Sequence, residues 1–363
     1  MINYSFPQKD KNTVFIVAEA GINHNGDFGI AARMVKKAAE VGVDAVKFQS
    51  FSTEDFIFDK SLKYTYRINN KYVTESMWDL CKRCEMKKDW LPKLKKLCDD
   101  YGIVFLSTPT SESGVEDLIN VGVKILKNGS DYLSHLPLLK YMGSTNIPII
   151  ISTGMAYKSE VQDAIDAVRA GGKSPIFLLH CTSAYPTNSS DVNLRRMIAL
   201  KKAFKLPVGF SDHTIASSAA IQSISLGACI LEKHFTLSHS MNGPDHWFSL
   251  TPAELRRYVD DIRKAEKRMG SSKIEPANCE VVNRNSYRLS LIAKSDVIKG
   301  QILKSQDFII AKPGLGLSPR DIKKVLGKRL IKSVKKGRPL KWQHFNNNVK
   351  SGGKRAEKVQ FEK

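Results

Sequence analysis

The sequence predicts an α/β fold: a (β/α)₈ barrel followed by a small, mostly β second domain. Three observations carry this expectation. Short apolar runs rich in Val, Ile and Phe recur eight times along the first part of the chain. Amphipathic stretches of helix length, such as FGIAARMVKKAAEVG and SEVQDAIDAVRAGG, separate them, which is the alternation of βαβ units in a parallel sheet. From residue 289 the chain changes to brief strand-like runs broken by Lys-Gly turns. A doubly wound open sheet is the competing fold, but no GxGxxG follows the first run.

In order, the eight runs are VFIVAEAG (14–21), DAVKFQSF (44–51), IVFLSTPT (103–110), KILKNGS (124–130), IPIIISTG (147–154), IFLLHCTSA (176–184), PVGFSDHT (207–214) and CILEKHFTL (229–237). Nearly all end in polar residues. These are Glu19, Asn23 and His24, then Lys47 and Gln49, Ser107 and Thr108, Lys127 and Ser130, and Ser152 and Thr153. His180 and Tyr185 follow, then Ser211, Asp212 and His213, and finally His234. TPAELRRYVDDIRKAEKRMG reads as the last amphipathic helix. The expected organisation is a catalytic barrel over 1–275, a linker over 276–288, a compact β domain over 289–347 and a frayed basic tail over 348–363.

Composition excludes several classes. With 363 residues, 42% hydrophobic and 26% charged, the chain can bury a large core without staples. No apolar run reaches the roughly 20 residues of a membrane span. The N-terminus has no apolar signal region, so a cytoplasmic enzyme is expected. The six cysteines are scattered and suggest no disulfide framework. Cys81 and Cys84 form a single CxxC with no second pair, on a helical segment. The net charge of +21 comes from lysines spread along the chain, without a nucleic-acid motif or interleaved aromatics. It reads as a solvated surface that attracts anionic substrates, not as a nucleic-acid or membrane site.

Barrel active sites lie at the C-terminal ends of the strands. His213 and His234 fall on adjacent strands, so both imidazoles reach one rim. They suit Mn²⁺ or Zn²⁺ and leave positions open for water and substrate; hydrogen bonding or acid–base work is the alternative the residues leave open. Lys47, Lys127, Ser130, Ser152 and Ser211 suit a phosphate or carboxylate anion, while a Schiff base on Lys127 is the rival reading. Glu19 and Asp245 are candidates for binding hydroxyls or moving protons. Glu232 shares the parity of His234 and is expected to orient a ligand from behind.

The segments AEAGINHNGD (18–27), VGVDAVKFQSF (41–51), STP (107–109), LKNGS (126–130), ISTGM (151–155), LLHCTSAYPT (178–187), GFSDHT (209–214), LEKHFTL (231–237) and NGPDH (242–246) resemble the sialic acid synthase family in order and over the whole barrel. Residues 289–345 resemble its antifreeze-like SAF domain. The resemblance implies a metal, Mn²⁺ or Mg²⁺, on His213 and His234. It implies phosphoenolpyruvate on Lys47, Thr108, Lys127, Ser130, Ser152, Ser183 and Ser211, and an N-acylated amino sugar on Glu19, Gln49, Tyr185 and Asp245. Carbon 3 of phosphoenolpyruvate then attacks the open-chain aldehyde, water adds at C2, and phosphate leaves by C–O cleavage to give a nonulosonic acid. A homodimer in which the SAF domain caps the partner's barrel is also implied.

Three departures touch the sugar side. Asp131 and Tyr132 replace a stretch that ends in glutamate in relatives. Lys312 stands where the SAF domain carries the arginine of Arg-Pro-Gly, and YTYRINNKYVTESMWDL follows no clear family pattern. The acceptor is therefore left between N-acetylmannosamine and a diacetamido hexose. The opening motif is closer to neuraminate and legionaminate synthases than to pseudaminate synthases.

Overall fold

The structure is a computed structural model that describes residues 13–68 and 71–345. The chain divides into two compact units, Met1–Gly270 and Ser271–Lys363. In the first, the strands are β1 (Phe15–Gly21), β2 (Ala45–Ser50), β3 (Lys63–Ile68), β4 (Lys71–Ser76), β5 (Val104–Pro109), β6 (Leu126–Asn128), β7 (Ile149–Ser152), β8 (Ile176–Cys181), β9 (Val208–Asp212) and β10 (Ile230–His234). Eight of them form one sheet in the order β5-β2-β1-β10-β9-β8-β7-β6, and its ladders are parallel. First and last strands pair, Glu19 opposite His234, and β5 lies beside β6, so the sheet closes as a (β/α)₈ barrel.

Strand parity explains both cores. Phe15, Val17, Val104, Leu106, Ile150 and Leu179 point inward and fill the barrel. Their neighbours Ile16, Val46, Phe105, Ile151, Phe210 and Leu231 point outward to the helices. Each fully buried side chain of this size stabilises by roughly 1.5–3 kcal/mol. The helix Phe28–Val41 begins at Asp27, whose carboxylate accepts from Ile30 N, and ends at Gly42 with φ 84°. The last barrel helix, Pro252–Met269, buries Leu255, Tyr258, Val259, Ile262 and Ala265 at helical spacing.

Of one inserted element the sequence showed the helix but not the strands before it. β3 and β4 form an antiparallel hairpin, followed by a helix over Met77–Cys84. Tyr66, Leu80 and Cys84 make a small core there, against which Ile22 and Phe51 pack. Cys81 and Cys84 are buried and unpaired on this helix, and burial pushes their thiols up to about 11 and 12.

In the second unit β11 (Ser290–Ala293) pairs antiparallel with β12 (Phe308–Ala311). Leu291, Val297, Leu303, Leu330 and Leu340 form its core. The expected linker carries a helix over Asn278–Tyr287, started by Glu280 accepting from Ala277 N at 2.9 Å. None of its residues is buried, so it shows no apolar stripe in the sequence. The expected tail, 348–363, lies outside the described residues, as do 346 and 347. Among the described residues no helix is long and apolar enough to cross a membrane.

Candidate active site

The inward parity that fills the barrel continues upward into polar side chains. Above Phe15 and Val17 comes Glu19; above Ala45, Lys47; above Ile150, Ser152; above Leu179, Cys181; above Ile230, Glu232 and His234. They line a cavity of about 630 Å³ together with Gln49, Thr108, Lys127, Ser130, Ser183, Tyr185, Ser211, His213 and Asp245. The structure thus brings together every barrel residue expected to bind metal, phosphoenolpyruvate or sugar, while the strand-end residues Asn23, His24, Ser107, Thr153, His180 and Asp212 do not line the cavity. A cavity of about 890 Å³ exists near Val14, Pro207, Val208 and Cys229, by the N-terminal ends of strands, but it shares none of these groups. Barrel chemistry belongs to the other end.

The floor is a buried charge lattice. Lys47 Nζ lies 2.7 Å from Glu19 Oε2 and 3.8 Å from Glu232 Oε2, and donates to Thr108 Oγ1 at 3.3 Å. Lys127 Nζ donates to Ser152 Oγ at 2.6 Å and to the Asn128 carbonyl at 3.1 Å, with Glu232 Oε1 at 3.9 Å. Ser211 Oγ donates to the same Glu232 oxygen at 3.1 Å, and Gln49 Nε2 donates to Glu19 Oε1 at 3.2 Å. Burial works against each charge. At Lys47 it is outweighed by Glu19 and Glu232, which hold the ammonium above its ordinary range. At Lys127 burial prevails and lowers it. The Glu19 carboxyl is raised by burial, against the pull of Lys47 and with help from Glu232. Glu232 is held low despite burial by Lys127 and Lys47.

Beside the lysines is a cradle of hydroxyls. Gly154 N donates to Ser130 Oγ at 3.0 Å, and the buried Ser183 Oγ has no partner. A Cβ on Gly154 would lie 2.4 Å from Ser183 Oγ and 2.6 Å from Ser130 Oγ, so glycine keeps these hydroxyls open to a ligand.

The two imidazoles stand 5.3 Å apart between ring centroids. His213 Nδ1 donates to the Thr182 carbonyl at 2.8 Å, and Nε2 lies 3.3 Å from Ser211 Oγ. Burial lowers this imidazole, but Cys181, the Thr182 carbonyl and Glu232 outweigh it and hold it above its ordinary range. His234 Nδ1 is buried without a hydrogen bond, 3.9 Å from Asp245 Oδ2. Burial and the neighbouring His213 hold His234 well below its ordinary range, so it is a neutral ligand-type imidazole. These donors fit a divalent cation that takes two protein nitrogens and completes its shell with water and substrate oxygen. The described residues hold no group of three or more His, Cys, Asp or Glu able to hold a metal ion.

Asp245 is pushed up to about 7 by burial and by Glu19. Its loop is pinned: Asn25 Nδ2 donates to the Asn242 carbonyl at 2.7 Å, and Ser249 Oγ donates to the Asp245 carbonyl at 2.5 Å. Tyr185 packs on His213 at 4.2 Å between centroids and on Phe248 at 5.4 Å.

Residues 34–274 match the NeuB family and residues 288–346 the SAF domain. The chain belongs to the NeuB family. This member is 39% identical to the N,N'-diacetyllegionaminic acid synthase of Legionella pneumophila over 95% of its own length and 98% of the relative's. It is also 39% identical to the N,N'-diacetyllegionaminic acid synthase of Campylobacter jejuni, over 88% and 96%. The solved N-acetylneuraminic acid (sialic acid) synthetase of Leptospira borgpetersenii superposes with TM-score 0.68 at 33% identity, over 76% of this chain and 93% of that one.

Some site residues of this NeuB-family chain escaped the sequence reading. Glu232, expected behind a ligand, instead faces both lysines directly. Cys181, 3.9 Å from His213 Nδ1, was not singled out, although strict alternation from Phe177 and Leu179 points to it. Of the three departures expected on the sugar side, the segment 64–80 supplies Tyr64, Met77 and Leu80 to the cavity lining, from the inserted hairpin and its helix. Asp131 and Tyr132, expected on that side too, line it as well. Lys312 belongs to the second unit, where its ammonium sits 5.1 Å from the centre of the Tyr287 ring.

Proposed function

We propose that this enzyme condenses phosphoenolpyruvate with an N-acylated amino sugar and water, giving a sialic-acid-type nonulosonic acid and phosphate. The observation that carries the reading is the anion cradle of Lys47, Lys127, Ser152, Ser130 and Ser183 set beside the imidazoles of His213 and His234 in one cavity. Lys127 and the hydroxyls hold the phosphate and carboxylate oxygens, fixing carbon 3 of the enolate ester against the aldehyde. The new C–C bond forms between that carbon and the aldehyde carbon. Asp245, raised to about 7, gives a proton to the aldehyde oxygen. Water adds at C2, with Glu19 taking its proton, and the C2–O bond to phosphate then breaks as the new C2 hydroxyl passes its proton to the departing phosphate and becomes the ketone.

Charge balance supports a metal. Lys47 and Lys127 are already offset by Glu19 and Glu232, so an incoming polyanion needs further positive charge. His213 and His234 would hold Mn²⁺ or Mg²⁺, which would polarise the aldehyde oxygen as a Lewis acid. Tyr185 and Gln49 bind sugar hydroxyls. From the family resemblance we further propose a catalytic barrel over 1–275 joined through 276–288 to an SAF domain over 289–347. The same resemblance supports a cytoplasmic homodimer in which the SAF domain of one protomer, with its Lys312, caps the partner's barrel.

The test is phosphate release from phosphoenolpyruvate with N-acyl hexosamines, by enzyme stripped with EDTA and reloaded with Mn²⁺. Release that needs both sugar and metal supports the reading. Undiminished release after stripping overturns the metal assignment. The Schiff-base reading is checked separately: borohydride with pyruvate is expected to leave Lys127 unmodified.

A further inference from the structure

The cavity has a second lining beside its charged floor. Ile22, Phe51, Tyr64, Met77 and Leu80 face it from the turn after β1, the end of β2, β3 and the helix Met77–Cys84. This is a built surface. Leu80 belongs to a small core with Tyr66 and Cys84, and Ile22 and Phe51 pack on that core. Tyr64 stacks on Tyr66 at 5.9 Å between centroids. Arg83 grips Glu75 through two hydrogen bonds of 3.0 and 2.9 Å, and Tyr66 donates to the same carboxylate at 2.5 Å. The hairpin is also tied to the loop that carries Asp245, because the Arg67 guanidinium lies 5.0 Å from the centre of the Trp247 ring.

The chemistry of such a wall discriminates between hexoses. A hydroxyl turned towards Phe51, Met77 and Leu80 would lose its water and gain no partner. An acetamido methyl there buries apolar surface instead. Phosphoenolpyruvate, a small polyanion, has nothing to bury on this side. We infer that the wall formed by Phe51, Tyr64, Met77 and Leu80 selects the acceptor, receiving the methyl of a second acetamido group so that a diacetamido hexose is used in preference to a monoacetamido one. This rests on the proposed condensation and adds the residues that choose its sugar.

The experiment measures kcat/KM of the metal-loaded, full-length enzyme for a 2,4-diacetamido hexose and for N-acetylmannosamine. It is run on wild type, Met77→Gln and Tyr64→Ser. Tyr64 is 39% exposed on the hairpin, so its replacement leaves the core intact. Wild type is expected to favour the diacetamido sugar by at least about tenfold, the scale set by one buried methyl-sized group. Each variant is expected to lower that ratio by about fivefold or more, with the KM for phosphoenolpyruvate unmoved. A wild-type preference for N-acetylmannosamine, or an unchanged ratio in both variants, overturns the wall while leaving the reaction standing. Turnover of neither sugar by wild type overturns the reaction itself, and the wall with it.

Discussion

The candidate ligands His213 and His234 each follow a residue of one buried ion pair, and breaking that pair should damage the barrel more than any surface change. Asp212 and Lys233 are register partners on β9 and β10, 0% and 2% exposed, with Lys233 Nζ 3.1 Å from Asp212 Oδ2. Burial lowers Lys233, and Asp212 opposes that shift. The Asp212 carboxylate also accepts from Thr214 N at 2.9 Å, Thr214 Oγ1 at 2.7 Å and Tyr258 OH at 3.3 Å, while Lys233 also donates to the Thr214 carbonyl. Removing one member of a buried pair costs about 3–5 kcal/mol. Lys233→Met leaves Asp212 with three donors, so a loss of about 3 kcal/mol is expected. Asp212→Asn leaves a buried ammonium with one carbonyl and a weakened side-chain partner, so about 4 kcal/mol is expected. The double variant should be less destabilised than the sum by about 2 kcal/mol, because neither charge is then left alone. Urea unfolding followed by the fluorescence of Trp78, Trp90 and Trp247 reads all three. Losses below about 1 kcal/mol in both single variants would refute the argument, because that is the scale of an exposed pair.

Two further outcomes follow from the geometry. Gly154→Ala places a methyl within 2.6 Å of two serine hydroxyls; the expected result is a fall in kcat/KM for phosphoenolpyruvate of about 100-fold, from misplacement of the anion cradle, with the melting temperature little changed. His24 is fully buried against Phe48 and Trp90, and burial lowers it to about 4. The folded value is depressed, so its contribution is present above pH about 6.5 and is lost as the pH falls towards 4, by at most about 3 kcal/mol. His24→Asn, measured by chemical unfolding between pH 7 and 4, should flatten that fall, and an unchanged slope would remove His24 from the cause.

The barrel was legible because its physics is periodic. Alternation put Phe15, Val17 and Glu19 on one face, and the same parity lifts Lys47, Ser152, Ser211 and Glu232 onto the rim. Reading Glu232 as a supporting residue missed that a barrel floor with two lysines needs a carboxylate between them. The hairpin β3–β4 was missed although Tyr64, Tyr66 and Ile68 alternate with Lys63, Thr65 and Arg67; only Tyr66 of the two strands is buried, and β4 shows no such alternation, so the signal is confined to one short strand. β6 was read as 124–130 and has only three residues, since Gly129 and Ser130 leave the ladder to build the cradle. His24, one of the polar residues that end the first run, proves to be a core side chain, and only its ring neighbours reveal that.

The most direct test of the central claim follows the oxygen that bridges C2 and phosphorus. Phosphoenolpyruvate labelled with ¹⁸O at that atom is turned over with a diacetamido hexose and Mn²⁺, and the label is traced by mass spectrometry. The account predicts that all of it leaves with phosphate, through cleavage of the C2–O bond after the C–C bond has formed. Label retained in the sugar acid would contradict it, because the P–O bond would then have been the one to break.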